Sequence, residues 1–277
     1  PIPWCFYLVL AVAFGFMLHV RKRTKQKYSE ACRPLLGNRV DGFAGRLIDL
    51  FAVFALLAGT ATTFSLATPL LSLALSEVFS IPQFHFLTIG ILLVIGITYT
   101  ITVYFGMKGI AKLAASCTYL FFALLLYVFI GGGQARYTIE TGLTALGNLA
   151  QNFIRLSTWA DASRTSSFPQ NWTIFYWAYW MVWCVATPFF IGSISRGRTI
   201  KQTILGGYFW GLSGTFTSFI ILGNYSLGLQ VQGKAAFLEL YSSSQDLYQT
   251  ILAVMESLPL AKFSLLLLAV TMIAFYA

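Results

Sequence analysis

The sequence is short of charge. Of its 277 residues only 10% are Asp, Glu, Lys or Arg, while 57% are hydrophobic; a soluble domain carries about 25% charged residues. That shortage excludes an ordinary water-solvated globular surface. Acids are scarcer than bases, nine against eighteen, and there are two histidines. Cysteine is sparse and dispersed: Cys5, Cys32, Cys117 and Cys184 form no CxxC pair. They lack the spacing of a zinc or redox site and read as small apolar residues. HExxH, GxSxG and a phosphate-cradling glycine loop are all missing, so the catalytic motifs that announce hydrolases and nucleotide enzymes are excluded.

What is present in quantity is apolar sequence. Runs of about twenty apolar residues match the bilayer core, and the lack of period-two alternation selects helices over barrel strands. Seven such spans are expected, at 4–20, 47–70, 84–105, 113–131, 172–194, 203–229 and 261–277. The fold class is therefore an all-α integral membrane protein, read as a single transmembrane domain over 1–277. Pro1 enters an apolar run almost at once and the chain stops inside another, at IAFYA. The expectation is an internal piece of a longer protein, with its first and last spans partial. Between 132 and 170 the sequence is too polar to span. Within it, Leu143, Leu146, Leu149, Phe153 and Leu156 recur at helical spacing, which predicts an amphipathic helix along the outer surface.

Lys and Arg set the orientation. With alternating sides, 13 of the 18 fall on one side, in the connections at 21–46, 106–112 and 195–202. That side is read as cytoplasmic. The net charge of +9 is then a topology signal and no nucleic-acid partner is expected. The run RKRTKQK is a solvated face beside anionic lipid headgroups.

Polar groups at membrane depth are few. His19 and His85 lie near span ends, and Asp49 is the one carboxylate inside a span, three residues from Arg46, a pairing distance on a helix. The segment GTATTFSLAT concentrates Thr60, Thr62, Thr63, Ser65 and Thr68. These hydroxyls suit close helix packing or, alternatively, coordination of a cation. Sequons occur at Asn171 and Asn224; helix capping is the preferred reading of both.

The most unusual stretch is NWTIFYWAYWMVW, beginning at Asn171. On a helical wheel of about 100° per residue, Trp172, Tyr176, Tyr179, Trp180 and Trp183 share one arc and Thr187 continues it, while Trp177 points elsewhere. An interfacial aromatic belt accounts for Trp172 but not for Trp183, three turns deeper. Core packing and an aromatic cage for a quaternary ammonium group remain. PWCFY places Trp4 and Tyr7 on one face of another helix and offers partners for such a cage.

NWTIFYWAYW, followed by PFFIGSISRGRTIKQ, resembles the signature of the betaine/carnitine/choline transporter (BCCT) family. PWCFY, PLLG, IDLFAV and FGMKGIAKLA fall where that family places them. The resemblance implies a twelve-helix transporter, ten of whose helices form the inverted-repeat fold of the sodium-coupled leucine transporter. This chain would run from the fourth helix to the start of the tenth. It implies a secondary transporter, not an enzyme, for betaine, carnitine, choline or related quaternary ammonium compounds. Such transporters serve osmoprotection in the bacterial plasma membrane, and homotrimers occur in the family. The aromatic box carries over to Trp4, Tyr7, Trp180 and Trp183, with Tyr179 where the family usually has Trp. No cofactor is implied beyond sodium as a coupling ion. Of two sodium-coordinating threonines one turn apart, the second falls on Thr60 and the first on Leu56, which cannot coordinate a cation. Proton coupling or substrate/product exchange therefore stays open. The alternatives are transport of a different amine or amino acid by the same fold, or a membrane protein whose aromatics only pack.

Overall fold

The computed structural model describes every residue except Pro1, Thr24 and Gln26, and the backbone alone of Met107. Thr24 and Gln26 of the basic run lie outside the described residues. The chain is helical, with no strand among the described residues, as expected where backbone groups must pair within their own segment.

Helix α1 is Ile2–Val20, its last turn, Phe16–Val20, widened to π geometry. A loop containing the short helices Tyr28–Ala31 and Arg33–Leu36 leads to α2 (Phe43–Phe79). Then come α3 (His85–Tyr104), α4 (Gly106–Gly131) and α5 (Ala135–Gln151). Helices α6 (Pro169–Trp183) and α7 (Thr187–Ile194) meet at a 48° bend. After them run α8 (Ile200–Val231), α9 (Phe237–Ser244), α10 (Leu247–Glu256) and α11 (Ala261–Tyr276). Among the described residues five helices are long and apolar enough to cross a membrane, or six if the bent pair α6–α7 is one span; α11 is apolar but shorter.

Three elements depart from the sequence reading. Helix α2 does not stop at 70 but runs 37 residues through Pro69, about 55 Å at the helical rise against a core of about 30 Å. An internal proline forfeits one backbone hydrogen bond, and the apolar run LLSLALSEVF carries the helix on. The span expected at 172–194 is a bent pair. Pro188 lacks the N–H that would bond the Cys184 carbonyl, and the Cys184 and Ala186 amides turn back to Met181 and Trp183. The amphipathic stretch breaks at Asn152 into α5 and the turn-and-a-half Phe153–Thr158. Its Leu143, Phe153 and Leu156 are exposed.

The chain packs as two compact units, Pro1–Thr62 with Asn152–Phe216, and Thr63–Gln151 with Thr217–Ala277. In the second unit, Ala74, Leu124, Val128, Tyr225, Leu229 and Met255 form one buried cluster with Leu258 and Leu265. The Tyr225 hydroxyl meets Ser257 Oγ at 2.8 Å, so this buried phenol keeps a partner. A neighbouring cluster joins Ala67 and Leu71 of α2 to Ile91, Ile95, Ala269 and Met272.

The first unit packs α1 on α7. Tyr7, Leu8, Ala11, Phe14 and Gly15 form the buried stripe of α1, the i, i+4, i+7, i+8 pattern of one helical face. Phe14 is edge-on to Tyr28 and to Phe189. A Cβ added at Gly192 would lie 2.8 Å from the Ala11 carbonyl, so the backbones of α1 and α7 touch through small residues, as membrane helices do.

The turn before α6 is built on Asp161, 6% exposed. Its carboxylate accepts from the amides of Thr165, Ser166 and Ser167 and from the hydroxyls of Thr165 and Ser166, at 2.8–3.1 Å. Burial pushes the carboxyl pKa up, but the Ser166 amide, the Thr165 and Ser166 hydroxyls and the Ser167 amide outweigh it and hold it at about 2. A depressed carboxyl contributes stability that is present above its unfolded value and is lost as pH falls through the folded one. The anchor is thus intact at neutral pH and fails only near pH 2. Asp161→Asn presents an NH₂ to donors that have no use for it. Thermal unfolding of that variant at pH 7 is expected several degrees below wild type, and an unchanged midpoint would rule out the anchor role.

Candidate functional site

The bend between α6 and α7 has a local consequence. In an unbroken helix the Trp180 carbonyl would accept from the Cys184 amide, but that amide bonds Met181 instead. The freed carbonyl accepts from the Tyr7 hydroxyl at 3.0 Å, which satisfies a group that is costly to leave bare in a span. This hydrogen bond joins α1 to α6 at the level of the aromatics.

Around it three rings meet. Trp4 and Tyr7 lie 6.0 Å apart between ring centroids at 76°, and Trp4 and Trp180 lie 5.3 Å apart at 70°. Tyr7 and Trp180 are 4.9 Å apart and tilted by 36°. The two near-perpendicular contacts are the edge-to-face geometry that aromatic pairs prefer, and rings set at an angle to one another are also what a cage for a cation requires. Tyr7 is buried; Trp4 and Trp180 are half-buried. The Trp4 indole N–H donates to Thr215 Oγ1 at 3.3 Å, so the ring is fixed at both its edge and its face.

Helix α8 accommodates Trp4 by having no side chain opposite it. A Cβ at Gly211 would lie 2.8–2.9 Å from three atoms of the indole. Gly207, Gly211 and Thr215 recur every fourth residue and form one small-residue face; a Cβ at Gly207 would collide with the end of the Leu8 side chain. Trp183 is packed elsewhere, over Gly59 of α2, where a Cβ would come within 3.3 Å of its indole. Tyr179 stacks on Phe175 at 5.9 Å. The single arc read from the wheel is therefore divided. Trp180 joins the α1 aromatics, Trp183 turns to α2, and Trp172 stacks on Tyr176. Trp177, placed off the arc, packs edge-on to Phe6. In the sequence the small-residue segment LGGYFWGLSGTFTSF reads as close helix packing; that its Gly207, Gly211 and Thr215 meet Leu8 and Trp4 of α1 is added by the structure.

A family model described as BCCT, betaine/carnitine/choline family transporter, matches residues 1–277. The chain belongs to the BCCT family. Members of this family are transporters and not enzymes, and the apolar helices make this chain an integral membrane protein. Membership fits the scarcity of acids and bases at membrane depth. Among the described residues no group of three His, Cys, Asp or Glu is placed to hold a metal ion.

Other polar groups of this BCCT chain have ordinary partners. Thr60 Oγ1 donates to the Leu56 carbonyl at 2.9 Å, and Thr62 and Thr68 donate likewise to Ala58 and Phe64. The Thr60 oxygen keeps its lone pairs, while Leu56, one turn away, offers only hydrocarbon. Asp49 does not pair with Arg46. It accepts from the Ser29 amide and hydroxyl, both at 2.9 Å, with Lys27 at 3.9 Å; the short helix at 28–31 reaches it first. His19 Nε2 lies 3.0 and 3.2 Å from the Gly192 and Ser193 carbonyls, ending α7. Asn171 is no cap, since Phe168 precedes the turn Pro169–Thr173 and Asn171 lies inside it. Asn224 likewise falls within α8, where the chain continues helical through a π turn at Phe219–Gly223.

Between α2 and α7 a cavity of about 620 Å³ is lined by Leu56, Ala52 and Val53 on one side and Val185, Ala186 and Phe189 on the other. Lys27 and Asp49 also line it. Its walls reach the bend residues that follow Trp183.

Proposed function

We propose that the full-length protein is a secondary transporter of betaine-type quaternary ammonium compounds such as glycine betaine, carnitine or choline, working by alternating access. Trp4, Tyr7 and Trp180 hold the trimethylammonium group; Trp183, one turn on from Trp180 and packed over Gly59 here, completes the box when it turns inward, and Tyr179 keeps a π-face while adding a hydroxyl. The reading includes the twelve-helix, inverted-repeat architecture and puts 21–46, 106–112 and 195–202 in the cytoplasm. The observation that carries it is the meeting of Trp4, Tyr7 and Trp180, from segments 173 residues apart, around one hydrogen bond. A quaternary ammonium cannot donate an N–H hydrogen bond and is recognised by ring faces at about 0.5–2 kcal/mol each.

Uptake of labelled glycine betaine into liposomes, competed by choline, carnitine and glycine, tests the substrate class. Competition by the methylated compounds and not by glycine supports it; competition by glycine alone points to the amino-acid alternative.

Leu56 favours a second reading of the energetics, exchange or proton coupling in place of sodium symport. Removing the sodium gradient, or replacing Thr60 by Ala, is then expected to change uptake by less than about twofold, since no coupling ion is lost. A tenfold or greater sodium dependence, abolished in the Thr60 variant, would restore sodium symport.

A further inference from the structure

The aromatic cluster leaves the other end of α1 unused. There the apolar run ends at Val20 and the basic run begins at Arg21, a membrane–water boundary by composition. A cavity of about 210 Å³ opens at this boundary. Its apolar wall is Ala13, Phe16 and Met17 of α1; Arg21, Arg23 and Arg33 face it, with Glu30 among them.

Arg33 is already committed. It forks to both Glu30 oxygens at 2.7 and 2.8 Å and to both Asp41 oxygens at 2.8 Å. These hydrogen bonds hold the Glu30 and Asp41 carboxyls below the usual range, and Glu30 is buried. Arg33 therefore cancels Glu30 and fixes the floor of the pocket. The other two guanidinium groups are available. Arg21 lies over the Phe16 ring, 5.6 Å from its centroid, and pairs with no carboxylate among the described residues. Arg23 is half-exposed and reaches Glu30 only at 3.6 Å. Three guanidinium groups against the two carboxylates Glu30 and Asp41 still leave the pocket positive, with the Arg21 and Arg23 forks beside a space walled on one side by hydrocarbon.

We infer that this pocket binds a phosphate-bearing anion, the headgroup of an anionic phospholipid, with Arg21 and Arg23 on the phosphate and Phe16 and Met17 along the first acyl carbons. The guanidinium fork matches phosphate geometry, and a basic pocket at the end of a span is where such headgroups are captured. Inorganic phosphate shares the polar half of this chemistry. The apolar wall is what selects a lipid.

The test uses the full-length protein in detergent, titrated with short-chain phosphatidylglycerol, with phosphatidylcholine of the same chains, and with inorganic phosphate, and read by native mass spectrometry or thermal shift. Phosphatidylglycerol is expected to bind well ahead of the other two, and Arg21→Gln/Arg23→Gln to weaken it about thirtyfold. Arg136→Gln, at an exposed arginine paired with Glu140 at 2.8 Å, is expected to leave it unchanged. Arg21→Lys/Arg23→Lys keeps the charge and guards against misfolding; its expected loss is about fivefold, because an ammonium cannot fork. Equal binding of inorganic phosphate overturns the lipid assignment, and equal binding of phosphatidylcholine overturns the anion. Unchanged affinity in the Lys variant, or an equal loss in Arg136→Gln, overturns the site.

Discussion

Trp180→Ala is expected to weaken glycine betaine binding about thirtyfold, the loss of one ring face worth about 2 kcal/mol once the bound cation is desolvated. Trp180 is the residue whose ring touches both α1 aromatics, at 5.3 Å from Trp4 and 4.9 Å from Tyr7, so its removal opens two walls together. Trp180→Phe keeps a π-face and is expected to retain most of the affinity. Its half-buried position limits the packing cost, so the variant should fold and bind poorly. If the aromatics only pack, the reverse holds: thermal stability falls and affinity for methylated amines does not move. Ligand titration and thermal unfolding on the same preparation separate the two. Tyr7→Phe divides the effect further. It keeps the ring and removes the hydroxyl that satisfies the Trp180 carbonyl, so its cost should appear in stability, at about 1 kcal/mol for one lost hydrogen bond.

Gly211→Ala is the second large effect, and it acts by pressing on a ring of the site while removing none. The added methyl would meet the fused atoms of the Trp4 indole at 2.8–2.9 Å, and fused-ring atoms cannot swing aside as a flexible side-chain end can. Overpacking of this kind costs about 1–3 kcal/mol. The cheaper response is for Trp4 to leave its place, which also breaks its hydrogen bond to Thr215. Betaine affinity should therefore fall about tenfold, close to the effect of Trp4→Ala. Gly214→Ala, three residues on in the same helix with nothing within 4 Å of its added Cβ, is the matched control and should be silent. A silent Gly211→Ala would mean that the Trp4 position does not matter for binding.

Much of this was legible in the residues because membrane helices are written in composition. The apolar runs locate the helices, since lipid leaves no other way to satisfy the backbone, and the aromatic signature locates the family. The reading failed where a local choice depends on a neighbour. The span expected to end at 70 continues as helix through Pro69 to Phe79. Pro188 does break its helix, and only the structure shows that the break frees the Trp180 carbonyl for Tyr7. The helical wheel gives Trp180 and Trp183 one face, and the helix is regular through both; what it cannot give is which neighbour each meets, α1 for Trp180 and Gly59 of α2 for Trp183. Asp49 and Arg46 are neighbours in sequence, but a loop twenty residues upstream supplies Ser29, a contact that no periodicity encodes.

The central claim is that the aromatic cluster recognises methylation of an amine. The most direct measurement is a titration of the purified full-length protein with glycine and its N-methyl, N,N-dimethyl and N,N,N-trimethyl derivatives, following quenching of Trp fluorescence. Affinity is expected to rise along the series, with the trimethyl compound about a hundredfold tighter than glycine, as two or more ring faces engage. Equal affinity across the series, or tightest binding of glycine itself, would contradict the account and return Trp4, Tyr7 and Trp180 to packing alone.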